Sequence, residues 1–438
     1  MKLFSVRENS SGSFDFEGNH LIDEIKFKKR KTDGLCACFK SEGNILTIST
    51  SYYIGTDWIP GFEKSHSVYV ESKINTKYEQ ITDQEKTVSD EKKNIVEVDV
   101  LKMLFEALRE PEVRDHTQEL FEIKFDSEWI PLNRKQDLIS PLIMIQFLNM
   151  VKDIVRKGLK KSYYQVEENL HAKVKGKVLV AQTIKRNLVK NQNLNTVCQY
   201  EQFGVNGIEN RILKKTLAYV KRYLSTCTSL AHAGFFQESL NFIQPAFLDV
   251  SEEVSLNDIK HLKFNPFYKS YAKAIELAKL ILQRFSYNLN SIQDRETILT
   301  PPFWIDMSKL FELYVLRLLK DSPKHGSKIL YHPTTYGNEL DYLLVDGDKS
   351  IVIDAKYKLG YKFTSHEGYH EDIRQVSGYA RLKNVRQKAG VSSQDKLLDC
   401  LIIYPDQEAL ESIPENLKQV EIKAYERVYK VGVKLPVF

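Results

Sequence analysis

The sequence predicts an α+β multidomain protein with a β-rich N-terminal domain, a mixed helical middle region and a C-terminal α/β domain. Three observations carry this reading. Strand-like runs fill the early chain, and apolar stripes at helical spacing take over from about Val98. Near the C-terminus, two short apolar runs, Leu340 to Val345 and Ile351 to Ile353, flank an Asp346-Gly347-Asp348 turn, as adjacent buried strands would.

The elements follow in order. Ile45 to Ile54 and Ser67 to Ile74 are strand-like, punctuated by Gly55 and Pro60-Gly61. A charged stretch from Asp83 to Lys93 reads as a solvated loop. Val98 to Glu110 reads as a helix with Val100, Leu101, Leu104, Phe105 and Leu108 on one face and Pro111 as its stop. Pro141 opens a second helix, whose stripe of Leu142, Ile145, Leu148, Val151, Ile154 and Val155 ends near Gly158. A third helix, Tyr268 to Phe285, carries Tyr271, Ile275, Ala278 and Leu282. Pro301-Pro302 is the clearest later boundary, so three domains are expected: 1–140, 141–295 and 296–438.

Composition bounds the class. A chain of 438 residues that is 42% hydrophobic and 28% charged has ample material for buried cores. No run approaches the roughly 18 uncharged apolar residues of a membrane span, and the N-terminus lacks the apolar stretch of a signal peptide. Cys36, Cys38, Cys198, Cys227 and Cys400 form an odd set without paired metal-ligand spacing, which points to a reducing cytoplasm.

Charge is uneven. Between His171 and Ser225 stand eleven basic residues against Glu201 and Glu209, a net of +9 that exceeds the +5 of the whole chain. Lys173, Lys175, Lys177, Lys185 and Arg186 lead this cluster, the footprint expected of contact with a polyanion such as DNA. A solvated surface is the plainer alternative.

The chemistry concentrates near the C-terminus. Along Ser350 to Lys356 the side chains alternate faces, so Asp354 and Lys356 project together while Ala355 faces away. Hairpin pairing brings Asp341 to them. Two carboxylates and the Ala355 carbonyl are hard oxygen ligands of the kind Mg²⁺ takes, and Lys356 can orient a water or neutralise charge on a phosphate. The bland alternative is a strand end emerging into water. Upstream, Glu312 lies beside the stripe Met307, Leu310, Phe311, Tyr314 and Leu318; downstream, Gln375 and Tyr379 share one helix face.

This order of residues resembles the PD-(D/E)xK nuclease superfamily, with Glu312 as the first-helix acid, then Asp341, then Asp354-Ala355-Lys356. Gln375 and Tyr379 resemble its QxxxY element. Leu340 stands where the superfamily carries proline, and Glu339 competes for the place of Asp341. The resemblance implies a restriction-endonuclease-like C-terminal domain with Asp341, Asp354, Lys356, Glu312, Gln375 and Tyr379 as catalytic residues. Over most of its length the chain also resembles the McrC family, the nuclease subunits of McrBC-type restriction systems. The residues that carry this are Ser51-Tyr52-Tyr53-Ile54-Gly55, Ser67 to Val70, Gly158-Leu159 with Tyr163-Tyr164, Lys175-Gly176-Lys177-Val178 and Glu209 to Lys214.

That likeness implies a Mg²⁺-dependent DNA endonuclease subunit that works with a McrB-like AAA+ GTPase or ATPase and docks on it through the N-terminal region. The sequence carries no G-x-x-x-x-G-K-[ST] phosphate loop, as expected if a separate subunit supplies nucleotide hydrolysis. A non-catalytic DNA-binding or ring-regulating subunit is the alternative.

Overall fold

The computed structural model describes residues 2–15, 25–28, 35–42, 44–59, 62, 65–75, 95–110, 112–113, 116, 120–124, 127–133, 138–226, 234–254, 269–289, 297–333, 340–358, 370–391 and 397–437. The charged stretch 83–93 and Glu339 lie outside them. Mixed α and β structure with several sheets is observed throughout, and the chain divides into two compact units, one of residues 1–136 with 299–438 and one of residues 137–298.

The first unit joins segments that the sequence assigns to separate domains. Its N-terminal sheet has five strands in the order Lys2–Arg7, His66–Glu71, Tyr53–Trp58, Phe303–Asp306 and Phe121–Ile123. Phe303–Asp306 thus lies between two strands from the first third of the chain, antiparallel to both. Trp304 is buried in a core with Phe4, Phe39, Ile48, Val68 and Val70, and its indole N–H donates to Asp57 Oδ2 at 3.0 Å. The expected strand from Ile45 to Ile54 is two strands, Ile45–Thr50 and Tyr53–Trp58, broken at Ser51-Tyr52. Gly55 is no turn residue either. It sits inside the second strand at φ +146°, where a Cβ would lie 2.0 Å from the Phe303 carbonyl oxygen, so only glycine lets the two backbones approach.

From that sheet the chain runs directly into the helix Met307–Asp321. Asp306 caps it by accepting from Lys309 N–H at 3.0 Å. Met307 N–H donates to the Tyr52 carbonyl and Asp306 N–H to the Leu120 carbonyl, so N-terminal residues fix where the helix starts. The helix Val100–Ala107 packs against it, and Arg317 bridges Glu106 and Asp321. A six-stranded mixed sheet follows, in the order Ile329–Tyr331, Tyr342–Leu344, Ile351–Ala355, Asp399–Pro405, Val428–Val433, Val420–Glu421. Its first three strands are antiparallel, whereas Ile351–Ala355 and Asp399–Pro405 run parallel. The helix His370–Tyr379 lies on the crossover between those two, its Ile373 and Val376 buried with Leu343, Val352 and Ile402.

Among the described residues of the second unit, the helices Ile139–Lys157 and Lys269–Leu289 pack on each other, with Ile208–Thr226 against the latter and Gly234–Ile243 against the former. Asn210, 1% exposed, donates to the Lys160 and Val205 carbonyls and accepts from the Tyr271 hydroxyl, which in turn accepts from Lys160 N–H. A three-stranded sheet of Ser162–His171, Asn195–Gly204 and Lys177–Val178 completes the unit. No described helix is long and apolar enough to cross a membrane.

One buried carboxyl in the first unit yields a pH prediction. Glu8 accepts from Ser72 Oγ at 2.8 Å and from the Tyr357 hydroxyl at 2.9 Å, while its Oε2 is buried without a hydrogen bond. Burial pushes it up to about 7, against the two hydrogen bonds. The folded state therefore favours protonated Glu8, and this contribution, full below about pH 4.5, is lost as pH rises through about 7. Glu8→Gln is expected to stabilise the protein at pH 8 by on the order of 3 kcal/mol relative to the parent and to give no gain at pH 4.5. Urea denaturation at the two pH values measures the difference; an equal effect at both rules the titration out.

Candidate active site

The site is assembled where the Met307–Asp321 helix crosses the edge of the six-stranded sheet. Leu340, fully buried, anchors the chain just before Tyr342–Leu344, which places Asp341 at the mouth of that strand. Its Oδ2 accepts the Ala355 N–H at 2.8 Å, so the hairpin brings Asp341 to the end of the neighbouring strand, as the sequence predicts. Asp354 and Lys356 share a face: the ammonium stands 3.0 Å from Asp354 Oδ2. Lys356 Nζ also donates to Gln375 Oε1 at 3.0 Å, and Gln375 Nε2 donates to the Tyr379 hydroxyl at 2.7 Å. The helix spacing of four thus forms a relay from Tyr379 to the lysine.

Burial separates this from an ordinary strand end. The Asp354 side chain is only 2% exposed, although the sequence alone allows it to face water. Its Oδ2 lies beside the Lys356 ammonium but accepts no aligned hydrogen bond. Desolvation raises Asp354 to about 6, against the pull of Lys356. Asp341 is pushed well above the usual carboxylate range by burial and then by the charges of Asp354 and Glu312. Crowded, poorly solvated carboxyls beside a specific cation are a feature of functional sites.

Glu312 projects to the same place. Its Oε1 accepts from Lys309 Nζ at 2.9 Å and the Tyr331 hydroxyl at 2.7 Å, and lies 2.7 Å from His332 Nε2. Burial alone would raise this carboxyl, but the contacts with His332, Lys309 and Tyr331 hold it below its ordinary value. The Tyr342 hydroxyl donates to the Glu312 carbonyl, fixing the helix over the strand. Tyr331 and His332 escape sequence reasoning. The only signal is a polar His332-Pro333 step directly after the apolar Ile329-Leu330-Tyr331 run. Lys358 and Asp372, paired at 2.8 Å, also border the site without a sequence signal of their own.

The donor set fits a hard divalent cation. Asp341 and Asp354 are buried acids with repelling charges, and Asp354 Oδ2 is buried without an aligned donor. Ligand atoms of Glu312, His332 and Asp341 also lie within 4.8 Å of one another.

The basic residues lie in the second unit. Lys173 and Lys175 occupy the loop after Ser162–His171, Lys177 begins the short strand, and Lys185 and Arg186 end the helix Val180–Arg186; all five are exposed. Gly176, at φ +68°, turns this loop where a Cβ would meet the Gln199 carbonyl at 2.5 Å. Strand pairing adds what a linear count misses, because Glu167 and Glu168 from the neighbouring strand stand opposite Gln199 and Cys198. Arg211, Lys214 and Lys215 are engaged by backbone carbonyls of Asn206, Val250 and Val254. The cluster is therefore smaller than its count. Tyr163, Val174, Val180, Val189 and Phe203 are exposed beside it.

Comparison with known proteins follows the same direction. A family model described as McrBC 5-methylcytosine restriction system component matches residues 74–405. No curated protein matches the chain. Among solved structures, a half-complex of Thermococcus gammatolerans McrB AAA+ hexamers with bound McrC is similar at 14% identity and a TM-score of 0.38, covering 99% of this chain and 94% of that one. A cryo-EM structure of the Thermococcus gammatolerans McrBC complex is similar at 13% identity and a TM-score of 0.29, covering 85% of this chain and 99% of that one. Likenesses of that size add no weight. The family match, however, spans most of the sequence and includes Glu312, Asp341, Asp354, Lys356 and Gln375, and on it the chain belongs to the McrBC family.

Proposed function

We propose that this chain is the Mg²⁺-dependent endonuclease subunit of a McrBC-like restriction system and cuts DNA together with an AAA+ NTPase partner. The observation that carries it is the convergence of Asp341, buried Asp354 and Lys356 on one sheet edge, with Gln375 and Glu312 beside them. We read the six-stranded sheet and its flanking helices as a restriction-endonuclease-like core. Family membership and the lack of a phosphate loop support a motor supplied by another chain.

Asp341, Asp354 and the Ala355 carbonyl would hold the cation. Mg²⁺, when bound, polarises a phosphoryl oxygen and lowers the pKa of an attacking water. The chain's own side chains supply the rest. Lys356, gripped between Asp354 and Gln375, presents a fixed positive charge to a phosphate, and Tyr379 sets the Gln375 amide. Glu312, held by Lys309 and Tyr331, keeps its negative charge beside Asp341. A merely structural site would gain nothing from this arrangement, because Asp341, Asp354 and Glu312 crowd like charges in a poorly solvated place. This disfavours the reading as a non-catalytic regulatory subunit.

Asp341→Asn, Asp354→Asn and Lys356→Ala are each expected to lower plasmid cleavage, assayed with Mg²⁺ and the AAA+ partner, by at least about 10³-fold while leaving a cooperative unfolding transition. Gln375→Ala, which only releases the lysine, is expected to cost about 10–100-fold. Cutting retained by Asp354→Asn would remove the assignment.

Replacing Lys173, Lys175 and Lys177 by Glu is expected to weaken binding to all DNA sequences alike and to reduce the slope of log affinity against log salt by up to about 3. Fluorescence anisotropy across a salt series measures both. An unaltered slope would assign the loop to a protein surface instead.

A further inference from the structure

We propose that His332 is a cation ligand, forming with Glu312 and Asp341 a second divalent subsite that shares Asp341 with the Asp354 subsite and takes a first-row transition ion such as Mn²⁺ in preference to Mg²⁺. The inference rests on the nuclease reading and deepens it. Its geometric ground is that one ligand atom from each of Glu312, His332 and Asp341 falls within 4.8 Å of the others, close enough for one ion to reach all three. His332 is held for the purpose. Its N–H donates to the Asp341 carbonyl at 3.0 Å, tying the backbones of two of the ligands together. Its ring stacks on Tyr331 at 4.0 Å between centroids and meets the edge of His116 at 5.9 Å.

An independent observation points to a missing cation. Glu312, Asp341 and Asp354 act on one another as like charges, and the ammonium groups within reach are Lys309 on Glu312 and Lys356 on Asp354. Among the described residues, the Asp341 side chain, the shared member, accepts the Ala355 N–H and feels the Lys356 charge, while Asp354 Oδ2 is buried 3.0 Å from the Lys356 ammonium without an aligned donor. An imidazole nitrogen in a carboxylate set is the chemical reason for the choice of ion. Mg²⁺ demands oxygen ligands and keeps its waters, whereas first-row transition ions, Mn²⁺ among them, bind an imidazole nitrogen more readily than Mg²⁺ does.

The test uses the full chain loaded with Mn²⁺ and pulsed electron paramagnetic resonance, which detects a ¹⁴N nucleus bound to the ion. Nitrogen modulation is expected in the parent, is expected to change on ¹⁵N-histidine labelling, to vanish in His332→Gln and to persist in His116→Gln. In Mg²⁺ competition, His332→Gln should lower Mn²⁺ affinity at least tenfold. Bound Mn²⁺ without nitrogen modulation would overturn the role of His332 while leaving the carboxylate site of the nuclease reading intact. Failure to bind Mn²⁺ at all would overturn both. Spectra of the labelled parent decide the matter even where a variant does not fold.

Discussion

The hydrogen bond from Ala355 N–H to Asp341 Oδ2 is the constraint on which the site depends. Antiparallel pairing of Tyr342–Leu344 with Ile351–Ala355 brings the two strand ends level, but backbone pairing stops at Tyr342 and Ile353. Beyond it the carboxylate takes over the work of the ladder. One interaction thus closes the hairpin, holds an acid in place and leaves Asp354 on the same edge with nowhere to disperse its charge. Lys356 answers part of that charge, and Gln375 and Tyr379 from the crossover helix keep the lysine from turning to solvent.

Much of this was legible in the sequence because it rests on short-range periodicity. The two-residue alternation of a strand puts Asp354 and Lys356 together, the four-residue spacing of a helix puts Gln375 beneath Tyr379, and the apolar stripe from Met307 to Leu318 puts Glu312 at its border. The contacts it concealed are those that depend on distant segments meeting. His332 reaches Glu312 across twenty positions, through a sheet order that no local pattern states. The burial of Asp354 likewise follows from the parallel strand Asp399–Pro405 and the helix laid over it.

The same distinction explains the domain organisation and the charge. A boundary at Pro301-Pro302 is a reasonable local inference, since prolines end elements. The strand that follows directly pairs instead with Tyr53–Trp58 and Phe121–Ile123, and its tryptophan fills the core that Phe4 and Val68 begin. A linear count of lysines and arginines similarly omits Glu167 and Glu168, delivered by strand pairing, and overlooks that Lys214 and Lys215 serve backbone carbonyls.

The insertion of Phe303–Asp306 has a consequence for how the molecule is made. Until residue 306 has left the ribosome, Tyr53–Trp58 is paired with His66–Glu71 alone, Asp57 lacks the indole of Trp304 and the Gly55 notch is empty. Pairings of such long sequence separation form late and slowly. The next element to emerge is the helix bearing Glu312, capped by Asp306 and pinned through Tyr52. Completion of the first sheet and the start of the acidic cluster are consecutive events in synthesis, so a chain interrupted before that strand would leave an open sheet edge and none of the acidic constellation.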